Sequence, residues 1–352
     1  MVRLGRAELT GTTRVHCVLQ ELSEELTVPW IVHVGGLVRT GSGAVKDALL
    51  DSTRFLTLKG KSFLMSESRL FVGRPPIPTF VARAGRLSGL DVLALWTAGT
   101  RVPDGAPVGA ATRGFLRLTA DSHGVNHKFL LKVDDDALRA AAEETASDIR
   151  QAGSGRARAD AYILGTRRAM RTLLPLDGRM ILIDNDPAVS THVRRHLRLD
   201  PRSIFVGVIR DLSDQFADRR TGINTDHSRP YNLAYMTTSA LLRRRYFAEL
   251  AAAVDEFPDR CLIVEFDRFA TDATYRQRLL DAVVAGAAPR ERERPPRFDP
   301  DVSARNVGLA VPERDALQHA VYTRLLGGPY RAAQVRSGPD VWPEVATVPD
   351  VA

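Results

Sequence analysis

Residues 35 to 50 read Gly-Gly-Leu-Val-Arg-Thr-Gly-Ser-Gly-Ala-Val-Lys-Asp-Ala-Leu-Leu. These types at this spacing suit the capture of a phosphate-like anion. The apolar, β-branched run Ile31 to Val34 predicts a strand, and the apolar positions Ala44, Val45, Ala48, Leu49 and Leu50 predict an amphipathic helix. A Gly-rich turn between strand and helix gathers backbone N–H groups and a positive helix end around one point. Four residues separate Gly36 from Gly41, as in the G-x-x-x-x-G-K-[ST] pattern. Ser42 stands where that pattern has its Lys, however, and Gly43 where it has the Ser or Thr that holds Mg²⁺. The loop's cation comes early, at Arg39. Such a loop cradles an anion without the parts of metal-dependent triphosphate hydrolysis.

Other chemistry-bearing groups are weaker. Asp184 and Asp186 follow the apolar run Met180 to Ile183 and precede Pro187, where they serve either as acid–base groups or as a helix cap. His192 and His196 have i, i+4 spacing, but Val193, Arg194 and Arg195 lie between them, so a metalloprotease-type Glu is absent and two cations crowd the pair. His123 and His127, beside Asp121, fit a polar loop, and Asp134 to Asp136 fit a helix N-terminus. No G-x-S-x-G elbow or Cys/His arrangement supports nucleophilic acyl transfer.

The elements that would position these groups alternate. Helix is expected at Thr13 to Thr27, a short strand at Arg54 to Leu58, and helix at Ala137 to Ile149. Residues 74 to 113, rich in Pro and Gly, read as irregular apart from a short helix near Asp91 to Ala98, and Gln151 to Arg158 reads as a linker. Strands are expected at Met180 to Ile183, Ser203 to Ile209 and Cys261 to Phe266, with helices at Ala188 to Leu199, Tyr231 to Phe257 and Tyr275 to Ala285. From Pro329 on there is little periodicity. Continuous apolar strands alternating with helices imply an α/β fold, a parallel sheet flanked by helices and buried on both faces. Ligands of such sheets bind beyond the strands' carboxyl ends. The Gly loop, Asp184 to Asp186 and Arg210 all fall at such ends.

The 352 residues are 44% hydrophobic and 26% charged, an ordinary globular balance. No apolar run approaches the ~20 residues of a membrane span, and Met1 to Arg6 lacks an apolar signal region. Cys17 and Cys261 fit neither a disulfide framework nor a zinc spacing and are expected in the core, which points to a reducing, cytoplasmic setting. The net charge of +7 is compatible with an anionic ligand. The runs Arg243 to Arg245 and Arg290 to Arg297 have no interleaved aromatics, so solvated surface is expected there rather than nucleic-acid binding.

The loop Val38-Arg-Thr-Gly-Ser-Gly-Ala-Val45, followed by Asp47, Leu49 and Leu50, resembles the phosphosulfate-binding loop of P-loop sulfotransferases. Bacterial members read P-R-S-G-T-T or G-S-S-A-V there. Three later segments extend the resemblance. Ile204 to Asp214 is similar to a strand ending in R-D-P-R-D, and Cys261 to Asp272 to V-x-R-Y-E-D-L-x-x-D. Arg297 to Leu309 is similar to F-D-P-x-x-S-x-x-N-I-G. The likeness is discontinuous over residues 30 to 310. It implies a P-loop nucleoside triphosphate hydrolase-like (sulfotransferase) fold. The domain spans residues 29–310, with an insertion at about 74–158, an N-terminal helical extension at 1–28 and a C-terminal helix and tail at 311–352.

The resemblance further implies transfer of a sulfonate group from 3′-phosphoadenosine 5′-phosphosulfate to a hydroxyl or amine of a carbohydrate or small natural product, with no metal required. The amides of Thr40, Gly41, Ser42, Gly43, Ala44 and Val45 would hold the 5′-phosphosulfate, and Arg39 would stabilise charge on the leaving oxygen. Arg210, Ser213 and Arg305 would hold the 3′-phosphate. Asp184, Asp186 or Glu67 would act as base. Asn185 stands where the family has a catalytic His, Leu212 where it has Pro, and Asp218 where a Ser shares the 3′-phosphate. Three consequences stay open at this level: a neighbouring carboxylate serves as base, the acceptor needs none, or the chain keeps the fold without catalysis. Another P-loop enzyme, such as a small-molecule kinase, is the alternative that Ser42 disfavours. The sequence identifies neither the acceptor nor the oligomeric state.

Overall fold

The computed structural model describes residues 31–37, 40–51, 55–57, 77–97, 99–119, 133–173, 180–184, 190–223, 233–283, 296–305 and 307–342. The expected N-terminal helix, Cys17, His123 and His127 lie outside them, as do Arg39, Glu67, Asn185 and Asp186.

Among the described residues five parallel strands form one sheet: β1 (Ile31–Gly35), β2 (Phe55–Thr57), β3 (Met180–Asp184), β4 (Ser203–Ile209) and β5 (Cys261–Glu265). Their order is β2-β3-β1-β4-β5. Val34 registers with Asp184 on one side and Val206 on the other, and Ile209 with Glu265. Every residue of β1 and β4 is buried, as expected for strands covered on both faces.

Side chains alternate between two cores. Val32, Val34, Ile204, Val206, Leu262 and Val264 pack with α1 (Ser42–Asp51). The same core takes in α10 (Phe266–Thr271) and α11 (Ala273–Val283). Ile31, Phe205, Ile209, Cys261 and Ile263 face the opposite way, toward a thicker helical layer. Its first five members are α2 (Ile77–Ala84), α3 (Gly89–Thr97), α4 (Ala110–Thr119), α5 (Asp135–Gln151) and α6 (Gly155–Leu173). It also contains α7 (Val193–Leu199), α8 (Leu212–Ile223), α9 (Leu233–Glu256) and α13 (Ala316–Gln334). A five-residue helix, α12 (Pro300–Ala304), sits beside α10.

Three expectations change. Residues 77–119 hold three helices rather than one within irregular chain. Pro78 occupies the first turn of α2, where a missing N–H costs nothing, and the other prolines fall between helices. Residues 152–154 are a tight corner rather than a linker: Ser154 Oγ accepts from Ala157 N, and Arg158 Nη2 donates to Ala82 O at 2.8 Å. Finally, α13 continues through Gly327, Gly328 and Pro329 to Gln334, because Tyr322, Leu326 and Ala333 are buried against the α9 layer. Packing outweighs propensity there.

Candidate functional site

The connection from β1 leads to α1 on one face of the sheet. The connection from β4 leads to α8 and α9 on the other. Adjacent strands whose connections diverge in this way open a crevice at their carboxyl ends. A cavity of about 430 Å³ lies there, lined by Gly41, Ser42, Gly43, Ala44, Asp47, Arg210, Asp218, Phe266, Arg297, Phe298, Asp299, Val302 and Ser303.

The loop is tightly built. Thr40 donates to Leu37 O through both its N–H (3.0 Å) and its hydroxyl (2.8 Å). A Cβ on Gly36 would sit 2.2 Å from Thr40 Oγ1. Gly41 has φ +89°, and a Cβ there would lie 2.1 Å from the Phe266 ring, so the loop needs glycine on both counts. Ala44 N and Val45 N both donate to Gly41 O. The six amides expected to face an anion thereby narrow to three. Among the described residues nothing accepts from Gly41, Ser42 and Gly43, the orphan donors of the first turn. Val45 itself is fully buried in the α1 core.

Arg210 closes the opposite wall. Its guanidinium is 2% exposed, lies 5.2 Å from the centroid of the Phe266 ring and pairs with Asp218 at 2.5 Å. Asp218, expected from the sequence to repel a 3′-phosphate, is therefore the carboxylate that holds the phosphate-gripping candidate. Behind Arg210, Gln215 Nε2 donates to its carbonyl (2.7 Å), and buried Arg243 Nε donates to Gln215 Oε1 (2.8 Å). Tyr246 brings its hydroxyl within 3.1 Å of Gly35 O and 3.0 Å of Val208 O, tying the ends of β1 and β4. Asp267, next to Phe266, accepts from Asp211 N, and burial pushes its carboxyl above the usual range.

Other expected residues fall elsewhere. The Ser213 hydroxyl bonds with His319 of α13 at 3.1 Å and is not among the cavity-lining residues. Arg305 is the exposed C-cap of α12, although Ser303, two residues earlier, lines the cavity. Asp184 ends β3 in register with Val34. His192 and His196 diverge: the first caps α7 and contacts Arg245, and the second is buried against Arg167. The Arg243 to Arg245 run, expected as solvated surface, is split by helical rotation. Arg243 is fully buried, and Arg244 and Arg245 are exposed.

Sequence reasoning passed over Phe266, Arg297, Phe298 and Ser303 as lining residues. The signal was present for Phe266, which directly follows β5 and opens α10. The 297–303 wall depends on a contact that no local pattern encodes: Asp51, at the end of α1, accepts from Arg297 N (2.7 Å) and Phe298 N (3.0 Å). Asp214 similarly accepts from Gly308 N and Leu309 N.

Among the described residues no group of three His, Cys, Asp or Glu side chains is placed to hold a metal ion, and no helix is long and apolar enough to cross a membrane. No family model matches the chain. No curated protein matches it. Among solved structures it is similar to one described as the crystal structure of sulfotransferase STF9 from Mycobacterium avium, at 15% identity and a TM-score of 0.36 over 88% of this chain and 80% of that one.

Proposed function

We propose that this chain is a sulfotransferase-like enzyme with a P-loop-type nucleotide site, using 3′-phosphoadenosine 5′-phosphosulfate to modify a hydroxyl or amine of a small molecule. The observation that carries the reading is the meeting of three open loop amides, Gly41 to Gly43, with Arg210 and two aromatic rings in one crevice at the β1/β4 switch point. The fit is chemical. Backbone donors at a helix start suit the anionic end of a nucleotide, a guanidinium suits a phosphate, and Phe266 and Phe298 offer apolar faces to a base.

When bound, the donor supplies an activated sulfonate with a nucleotide leaving group. In this reading the amides of Gly41, Ser42 and Gly43 orient its anionic end, and Arg39 holds the charge that grows on the leaving oxygen. Arg210 takes the 3′-phosphate as Asp218 gives way, and the two rings exclude water. Asp184, Asp186 and Glu67 are the candidate bases. The enzyme works with a soluble acceptor in the cytoplasm.

Thermal-shift titration tests the binding half. Stabilisation by 3′,5′-bisphosphoadenosine but not by ATP with Mg²⁺ is expected, and the reverse preference would favour a kinase-like enzyme instead. The Asp218–Arg210 pair favours one other reading, a nucleotide-binding protein without catalysis. Radiolabelled sulfate transfer across a panel of acceptors separates the two. Arg39→Ala is expected to lower turnover about 100- to 1000-fold, the scale of one preorganised donor. Nucleotide binding with no transfer by the unmodified protein would leave the binding protein.

A further inference from the structure

A second cavity, of about 420 Å³, lies among α6, α7 and α9 and shares no lining residue with the crevice. Arg156, Thr191, His192, Arg194, Arg195, Arg198, Arg245 and Glu249 line it. Three of its five arginines are neutralised. Arg194 grips Glu249 through its backbone N–H, Nε and Nη2 at 3.0, 3.3 and 3.0 Å. Arg195 pairs with Asp160, and Arg198 pairs with Glu256 through two 2.6 Å bonds. Glu249, the one carboxylate in the wall, is thus already engaged.

Arg156 and Arg245 have no carboxylate among the described residues. Arg245 instead directs Nη2 to His192 Nε2 at 2.6 Å. A guanidinium has no acceptor, so that ring nitrogen must be the lone-pair side, and Nδ1 of His192 carries the proton toward Thr191 Oγ1 at 3.1 Å. One bond uses one of the five N–H donors of Arg245 and leaves its charge uncompensated. The groove is therefore a rigid wall of three ion-paired arginines carrying two unmatched guanidiniums and an oriented imidazole.

We propose that this groove is an oxyanion-binding site for a phosphate or sulfate group, separate from the crevice. Planar guanidinium forks from two sides bind such a group with paired, charge-assisted bonds. The volume accommodates an anion carried on a ring-sized body as well as the free ion. Of the two unmatched arginines, both exposed, Arg156 comes from α6 and Arg245 from α9, so the site exists only where these helices flank α7.

The test is a ³¹P line-width titration of the full chain at low ionic strength, with inorganic phosphate in one arm and phenyl phosphate in the other. Binding that weakens at least tenfold in Arg156→Gln/Arg245→Gln, and is unchanged in Arg113→Gln, an exposed α4 position that lines neither cavity, is expected. Tighter binding of the ester than of inorganic phosphate would assign the groove to an anion borne on a larger molecule. The opposite order would assign it to the free ion. Both variant positions are exposed, so an unchanged melting temperature is expected to accompany the loss. Binding in the double variant equal to the unmodified protein would overturn the proposal, as would no binding by the unmodified chain.

Discussion

At the scale of single residues, Asp218 decides how the crevice behaves before a ligand arrives. It neutralises a guanidinium that is 2% exposed, and it accepts from Nη1, one of the donors a phosphate could use. Removing one partner of a buried ion pair leaves an uncompensated charge and costs about 3–5 kcal/mol. An anion that enters would restore the balance. Asp218→Ser is therefore expected to melt earlier without ligand and to bind 3′,5′-bisphosphoadenosine roughly tenfold more tightly, a gain of about 1.4 kcal/mol. Calorimetric titration beside a thermal-shift series measures both. Weaker binding in Asp218→Ser would mean that Arg210 is a structural cation and not a ligand group. Gly41 is the second decisive residue. Gly41→Ala must give up a positive φ and push back the Phe266 ring, and a loss of about 2 kcal/mol or more is expected, read from urea midpoints.

At the scale of elements, α6, α7 and β1 are joined by a buried polar cluster. Arg167 of α6 is 2% exposed. It donates to His33 Nε2 on β1 at 3.1 Å and to His196 Nδ1 on α7 at 3.0 Å, and it pairs with Asp200 at 3.2 Å. Burial draws Arg167 down to about 10, with Asp200 opposing, so it stays charged at neutral pH. Burial first, and Arg167 second, hold both imidazoles well below their ordinary range. An unfolded chain would protonate them near pH 6.5 while the folded chain does not. Their contribution to stability is complete above that pH and is lost as pH falls below it, by about 1.4 kcal/mol per pH unit for each histidine. Urea midpoints between pH 7.5 and 5.5 are expected to show this slope, and His33→Phe, beside Phe205, is expected to flatten it by about half. An equal slope in that variant would assign the acid sensitivity elsewhere. The elements themselves were largely legible. The runs at 31–34, 203–209 and 261–265 are strands because they are rich in β-branched residues and apolar apart from His33, Ser203 and Glu265. Of the helices of 77–119 only α3 was legible, near Asp91 to Ala98; α2 and α4 were not, since Pro and Gly punctuate short helices held by packing, α2 on α6 and α4 on α2 and α3.

At the scale of the whole molecule, β5 is an edge strand among the described residues, and its outer side is closed by the last of them. Gly338 N and Trp342 Nε1 both donate to Ile263 O, at 3.2 and 3.1 Å, and the Trp342 ring packs against Tyr275 at 5.1 Å between centroids. An uncovered edge of this kind invites pairing with other chains. Trp342→Ala is expected to cost about 3 kcal/mol and to raise light scattering during unfolding. Unchanged stability would show that the strap contributes no packing. This closure depends on α13 running through Pro329, the segment that carried least periodicity.

The sequence by itself determined the parallel α/β class, the Gly loop with its missing lysine and hydroxyl, and the strand-end position of Arg210. Each of these follows from residue type at short range: burial on both faces needs continuous apolar runs, and a close turn needs glycine. Tertiary structure alone decided which three loop amides stay open, that Asp218 engages Arg210, that Asp51 and Asp214 draw the 297–309 segment to the crevice, and that Arg156 and Arg245 share a groove. Those outcomes are contacts between residues from eight to more than two hundred positions apart. They depend on how helices stack across the sheet, which no local period records.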